Sequence, residues 1–194
     1  MADLNDLTQN VNIWDDAKSK SVTVTTDGAK ERLDVFVQDD VEVISHEHDK
    51  VHQGQTFIVS DYGTYNKAAY WDILIKAGPV MPHAIADLSV SLGILVQVYE
   101  EPTTTANGTS YTSFNRNRNS SNTSDTVIYD TPTVTSPGTL IRTLLIPGAN
   151  QSGSAGGIST EIILKQSTDY LVRITSQQNS NLFSWAIIWY EEDV

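Results

Sequence analysis

Short apolar runs recur along this chain from Ser21 to the last residues before the C-terminus, and several of them alternate apolar and polar residues with a period of two. Such alternation puts successive side chains on opposite faces of an extended strand. Residues 21–37 read as a hairpin. SVTVT alternates, TDGAKE carries Asp27-Gly28 as the turn, and RLDVFV sets Leu33, Val35 and Val37 on one side. From Gln55 the strands come in succession. QTFIVSDY, AAYWDILIKA and HAIADLSVSLGILVQVYEE are followed by DTVIYDT, GTLIRTLLIPG, TEIILKQ, DYLVRITS and NLFSWAIIWYEE. Turn chemistry separates them at Gly78-Pro79, Asn107-Gly108, Ser136-Pro137-Gly138 and Pro147-Gly148. Residues 85–99 read either as one long strand bent at Gly93 or as two short ones.

Many short strands with no helical period between them predict an all-β fold, an antiparallel jelly-roll-like β-sandwich. Residues 1–54 read differently, as an N-terminal arm carrying the hairpin, with residues 55–194 as the sandwich domain. The arm holds twelve acidic and five basic residues but little apolar surface, and Trp14 is the one large apolar group of its first twenty residues. An isolated Trp of this kind is either an anchor for a partner or packed on its own domain. Near the C-terminus the alternation blurs, with Ile187 and Ile188 consecutive. A strand apolar on both sides is either central in its sheet or faces another subunit. Trp185 and Trp189 point the same way on an unbroken strand, and three roles stay open for them: core, interface or ligand platform.

Composition narrows the function classes. Hydrophobic residues make up 39% of the 194, with eight Tyr, four Trp and four Phe, so the chain is not disordered by composition. No run of 18 apolar residues occurs, and the acidic start MADLNDLTQN has no signal-peptide pattern, so neither a membrane span nor secretion is expected. There is no Cys, which removes disulfides, thiol chemistry and Cys-based metal sites. The net charge of −12 argues against binding nucleic acid through phosphates. No cofactor motif and no catalytic set is present. Gly153–Gly157 lacks the Lys-Ser/Thr of a phosphate loop, and no G-x-S-x-G occurs, so an enzyme is not expected. The pairs Glu100/Glu101 and Glu191/Glu192 read as solvated rims. His83 reads as a structural histidine. His46, His48 and His52 are weak metal candidates: on a strand, His46 and His48 share a side, and His52 follows four residues on. The alternative is a solvated linker.

The stretch Tyr111–Pro132, YTSFNRNRNSSNTSDTVIYDTP, stands apart. Arg116 and Arg118 alternate with Asn115, Asn117 and Asn119. In an extended ribbon the two Arg share a face with Phe114, and the Asn take the other. The ribbon is either a solvated loop or a structured crossover whose Arg pin neighbouring strands or a neighbouring subunit.

FNRNRNSSNTSDTVIYDTPTV, the SPGT turn, the Gly-rich loop, TEIILKQSTDYLVRITS and the closing WAIIWYEE resemble, in that order, a family of tailed-bacteriophage virion proteins. The resemblance spans about Tyr70 to Glu191. VTVTTDGAKERLDV adds a weaker likeness to phage structural segments. It implies a β-rich structural protein of the virion, most simply a capsid decoration, cement or head-fibre-base protein that stabilises the head. A homotrimer is expected, with the major capsid protein or other virion proteins as partners and residues 1–54 as the attachment segment. The alternative is a receptor- or glycan-binding module of a tail or fibre.

Overall fold

The computed structural model describes residues 9–13, 20–26, 33–35, 46–148, 154–155 and 158–192; Trp14 lies outside them. The chain divides into two compact units, Met1–Ile44 and Ser45–Val194.

In the first unit β1 (Gln9–Ile13) pairs with β2 (Lys20–Thr26), and β2 pairs with β3 (Leu33–Val35), all antiparallel. The expected hairpin is β2–β3, with Val24 opposite Val35. β1 was not legible, because QNVNI offers too few apolar positions to show a period.

The second unit begins ten residues earlier than the composition suggests, with a helix, α1 (His46–His52). The sequence reading makes this segment extended. Its termini favour a helix: Glu47 and Asp49 lie in the first turn, and Lys50 and His52 in the last, each matching the helix dipole. Gly54 closes it at φ +70°. There the Gly54 N–H donates to Val51 O (3.0 Å), and that of Gln55 to Lys50 O (3.0 Å).

The strands that follow are β4 (Thr56–Tyr65), β5 (Tyr70–Lys76), β6 (Met81–Val90) and β7 (Ile94–Glu100). The 101–138 excursion then carries β8 (Thr103–Ala106), β9 (Thr109–Ser110), β10 (Phe114–Asn115), β11 (Val127–Asp130) and β12 (Thr133–Ser136). The chain finishes with β13 (Thr139–Ile146), β14 (Ser154–Ala155), β15 (Ile158–Ile163), β16 (Asp169–Ser176) and β17 (Asn181–Glu192). Two six-stranded antiparallel sheets result. One runs β10-β4-β17-β6-β14, with β15 also on β6, and the other runs β13-β7-β16-β5-β11-β9. The protein is an all-β sandwich. β8 and β12 form a separate two-stranded ribbon.

The chain crosses between the sheets at Ser91–Gly93, so the long apolar segment is two strands in different sheets. The Gly93 carbonyl is held there by Asn181 Nδ2 and Gln177 N, both at 2.9 Å. Asn181 is fully buried, and its Oδ1 accepts from Leu92 N (2.9 Å) and Ser91 Oγ (3.2 Å). Both polar ends of this amide are therefore satisfied inside the fold.

The core lies between the sheets. β17 supplies Phe183, Trp185, Ile187 and Trp189 to it at every second position. Trp71, Ile73, Val96 and Ile174 face them from the other sheet. Trp185 and Trp189 are thus core residues, and within this chain they are neither an interface nor a ligand platform. β17, β5 and β16 are central in their sheets; the consecutive Ile187 and Ile188 of β17 take opposite sides of its sheet, while β5 and β16 carry the facing pair Asp72 and Arg173 on their outer side. Leu74 and Leu171, opposite one another in register and outside the core cluster, are fully buried on that same side.

Candidate functional site

The 101–138 excursion is a crossover that clasps both sheets. β10 adds to β4, with Phe114 opposite Ile58, and β11 adds to β5, with Ile128 opposite Ile75. What fixes it is amide and carboxylate chemistry. Asn115 is buried; its Nδ2 donates to Gly54 O (2.7 Å) and Asn122 O (3.2 Å), and its Oδ1 accepts from Asn117 N (2.9 Å). Asn117 repeats the motif, accepting from Asn119 N (3.1 Å) and donating to His52 O (3.0 Å). Asn122 Nδ2 reaches Gln53 O (3.4 Å) and Gly54 O (3.3 Å). These carbonyls belong to the C-terminal end of α1, where backbone acceptors lack helical partners. Ser120 lies so close over Gly54 that a Cβ there would stand 2.3 Å from Ser120 Oγ.

At the other end of the crossover Glu191 is the anchor. It is buried, and it accepts from Ser124 Oγ (2.6 Å), Asp125 N (3.1 Å), Thr126 N (2.9 Å) and Trp189 Nε1 (3.2 Å). The solvated-rim reading of Glu191 is therefore wrong. Tyr111 OH donates to Asp61 on β4 (2.8 Å), and Trp71 Nε1 of β5 donates to Asp130 on β11 (2.6 Å). Burial, then Asp130 and Asp61, push the neighbouring Tyr65 up to about 12. Burial and the Asp61 hydrogen bond raise Tyr111 further, so both phenols remain protonated.

Arg116 and Arg118 do not pin strands within the chain. Both are exposed, and neither makes an ion pair among the described residues. Arg118 lies over the Phe114 ring at 5.3 Å. The alternation was legible, but the Asn face carries the load. Replacing Arg116 and Arg118 together by Ala is expected to change stability by no more than about 0.5 kcal/mol, read as an unchanged melting temperature.

The histidines do not converge. On α1 the rings of His48 and His52 face each other one turn apart, with Nε2 atoms 2.9 Å apart, one donating to the other. His46 instead donates to Glu192 (2.5 Å) and packs edge-on against Tyr190. Among the described residues no group of three or more His, Asp or Glu has metal-binding geometry. The weak candidate set His46/His48/His52 does not form among the described residues, because a helix sends His46 away from the other two.

His83 is held between carboxylates. Nδ1 bonds to Glu161 (2.5 Å), Nε2 lies 3.5 Å from Glu192, and the ring stacks on Tyr190 at 4.5 Å. The Tyr190 hydroxyl, with His83 adding to it, holds Glu161 below the usual carboxylate range against the opposing effect of burial. For Glu192 burial pulls upward, but hydrogen bonds from His46 and Lys50 outweigh it and leave the group lowered. A carboxylate lowered in the folded state contributes stability above its unfolded pKa, and that contribution is lost as pH falls through the folded value. Melting temperature is thus expected to hold from pH 7 to about 5 and to fall below about pH 4. Glu161→Gln is expected to flatten part of that acid slope.

A shallow trough lies on the outer face of the β4–β17–β6 sheet. Register places Ser60, Ala186 and Asp87 in one row across it, and Tyr62, Ser184 and Ser89 in the next. The hollow has a volume of about 800 Å³, and one of about 360 Å³ adjoins it toward Leu182.

No protein-family model, curated protein or solved structure matches this chain. Its function has to be read from strand order and surface chemistry. Among the described residues no helix is long and apolar enough to cross a membrane.

Sequence reasoning missed Glu191, the Asp72–Arg173 pair and the trough. Arg173 donates to both Asp72 oxygens at 2.7 Å and covers the Tyr70 ring at 4.3 Å. The signal was weak in each case, because the partners are remote in sequence.

Proposed function

We propose that this chain is a structural component of a tailed-phage virion: a decoration or cement protein of the head, or the base of a head fibre. The observation that carries the reading is strand order. Numbering β4, β5, β6, β7, β13, β15, β16 and β17 from one to eight, the sheets run one-eight-three-six and five-four-seven-two. That order supports reading the sandwich as a jelly roll, a fold common in viral capsid proteins and in lectins. Fold alone does not fix function. The order of segments from Tyr70 to Glu191 that resembles virion proteins gives the second support.

In this reading the chain attaches through residues 1–54 and buries surface across neighbouring capsomers that resists the pressure of packaged DNA. The major capsid protein is the partner, and the chain assembles as a homotrimer. β13 is an edge strand on which Leu140, Ile141 and Leu145 are exposed, Leu145 by 64%. Apolar residues on a long edge call for a cover. Light scattering is expected to give the mass of three chains, and Leu145→Glu to lower it. A concentration-independent mass of 21.4 kDa for the unaltered protein would overturn the oligomer.

The deciding experiment adds purified protein to particles that lack it and images them by electron cryomicroscopy. Occupancy on the scale of the capsomer number supports a head decoration, whereas a handful of copies at the tail tip refutes it. A chain beginning at Ser45, which keeps α1 and Gly54, is expected to stay β-rich by circular dichroism yet fail to attach. Full attachment would move the docking surface to the sandwich.

A further inference from the structure

We propose that the trough over β17 is a saccharide-binding site for neutral, hydroxyl-rich sugars. This does not depend on where in a particle the chain resides. The trough exists because the central strand contributes its shortest side chains, Ser184 and Ala186, while the flanking strands contribute Tyr62 and Asp87 as walls. Its volume falls within the range of small-ligand sites. Tyr62 is 73% exposed, and no ring or cation packs on it among the described residues. The Asp87 carboxylate and the hydroxyls of Ser60, Ser89 and Ser184 have no side-chain partner there either.

An exposed aromatic face beside unspent acceptors and hydroxyls complements one chemistry in particular: a ring with an apolar C–H face and a rim of hydroxyls. The aromatic side chain supplies apolar area with a polar tip. Asp87 accepts from sugar hydroxyls through charge-assisted hydrogen bonds. Alternatives fit less well. A peptide strand would need open ladder groups, but β17 is hydrogen-bonded on both sides, to β4 and β6. Anionic ligands meet Asp87 on a chain of net charge −12. From Ala186 to Leu182 the trough runs about 13 Å at ~3.3 Å per residue, long enough for more than one sugar ring. Leu182, exposed at the far end, adds apolar surface to the adjoining hollow.

The test is affinity electrophoresis of the full chain through gels containing dextran, mannan, galactan or a β-glucan, with alginate as the anionic control. Retardation by at least one neutral polymer is expected, and none by alginate. Tyr62→Ala is expected to weaken the binding at least tenfold, and Asp87→Ala to weaken it measurably. Both variants should keep the parent melting temperature, since neither side chain is packed. Three outcomes would overturn the proposal: no retardation by any neutral polymer, retardation that survives Tyr62→Ala, or stronger retention by alginate.

Discussion

Glu191→Ala is expected to lower the melting temperature of the sandwich by roughly 4–16 °C, equivalent to about 2–4 kcal/mol in a chain of this size. The carboxylate collects a hydroxyl, two backbone N–H groups and an indole N–H within 2.6–3.2 Å. Thr126 and Trp189, which hold two of these donors, are themselves buried. Truncation orphans the Asp125 N–H and leaves the Thr126 N–H and the Trp189 indole N–H only Ser124 Oγ, at 3.0 and 3.1 Å, as acceptor, and an orphaned buried donor costs more than an average hydrogen bond returns. Glu191→Gln is expected to fall between, because its amide turns one acceptor into a donor facing donors. Calorimetry on the three proteins checks the order. A loss below about 1 kcal/mol for the alanine variant would mean that water replaces the carboxylate without penalty.

The second large effect is expected at Asn115. Asn115→Ala removes two donors and one acceptor at a buried position and should cost about 2–4 kcal/mol. Asn115→Asp is expected to be no milder. It keeps the acceptor for Asn117 N–H but turns a carboxylate toward the carbonyls of Gly54 and Asn122. Urea titration with an unchanged slope would confirm that stability alone has moved. The contrast with the neighbouring Arg pair makes the comparison sharp. If Asn115→Ala proved as silent as the double Arg116/Arg118 change, the crossover would not be held by its amides.

Much of the architecture was open to reading. Period-two alternation located the strands of the sandwich, Asp27-Gly28 marked the β2–β3 hairpin, and Gly93 marked the point where the chain changes sheets. Tyr111–Pro132 stood out for the right reason but on the wrong side chains: two charges in a poorly basic chain drew attention from the amides between them. The helix at His46–His52 was missed because it is too short to show a 3.6-residue period, although its terminal charges and Gly54 were in plain view. Glu191 could not be read at all. Two adjacent glutamates at the end of a strand look solvated, and the groups that bury the first come from Ser124–Thr126, some 65 positions away. The trough likewise requires knowing that β4 and β6 flank β17.

The crossover also makes the sandwich a one-sided tile. On its own side it finishes each sheet with a two-residue strand, β10 on one and β9 on the other. Strands this short give a further chain almost nothing to pair with. The opposite side ends in the longer β13 on one sheet and, on the other, in β15 with the two-residue β14 beside it along β6. Growth by continuous sheet addition needs an open edge at both ends of each sheet, and among the described residues of the sandwich only this side offers one of any length. Edge pairing alone therefore joins two copies and stops, so a trimer has to close through side-chain packing at β13 and not through a shared sheet, and the geometry disfavours fibres even when the protein is crowded on a surface.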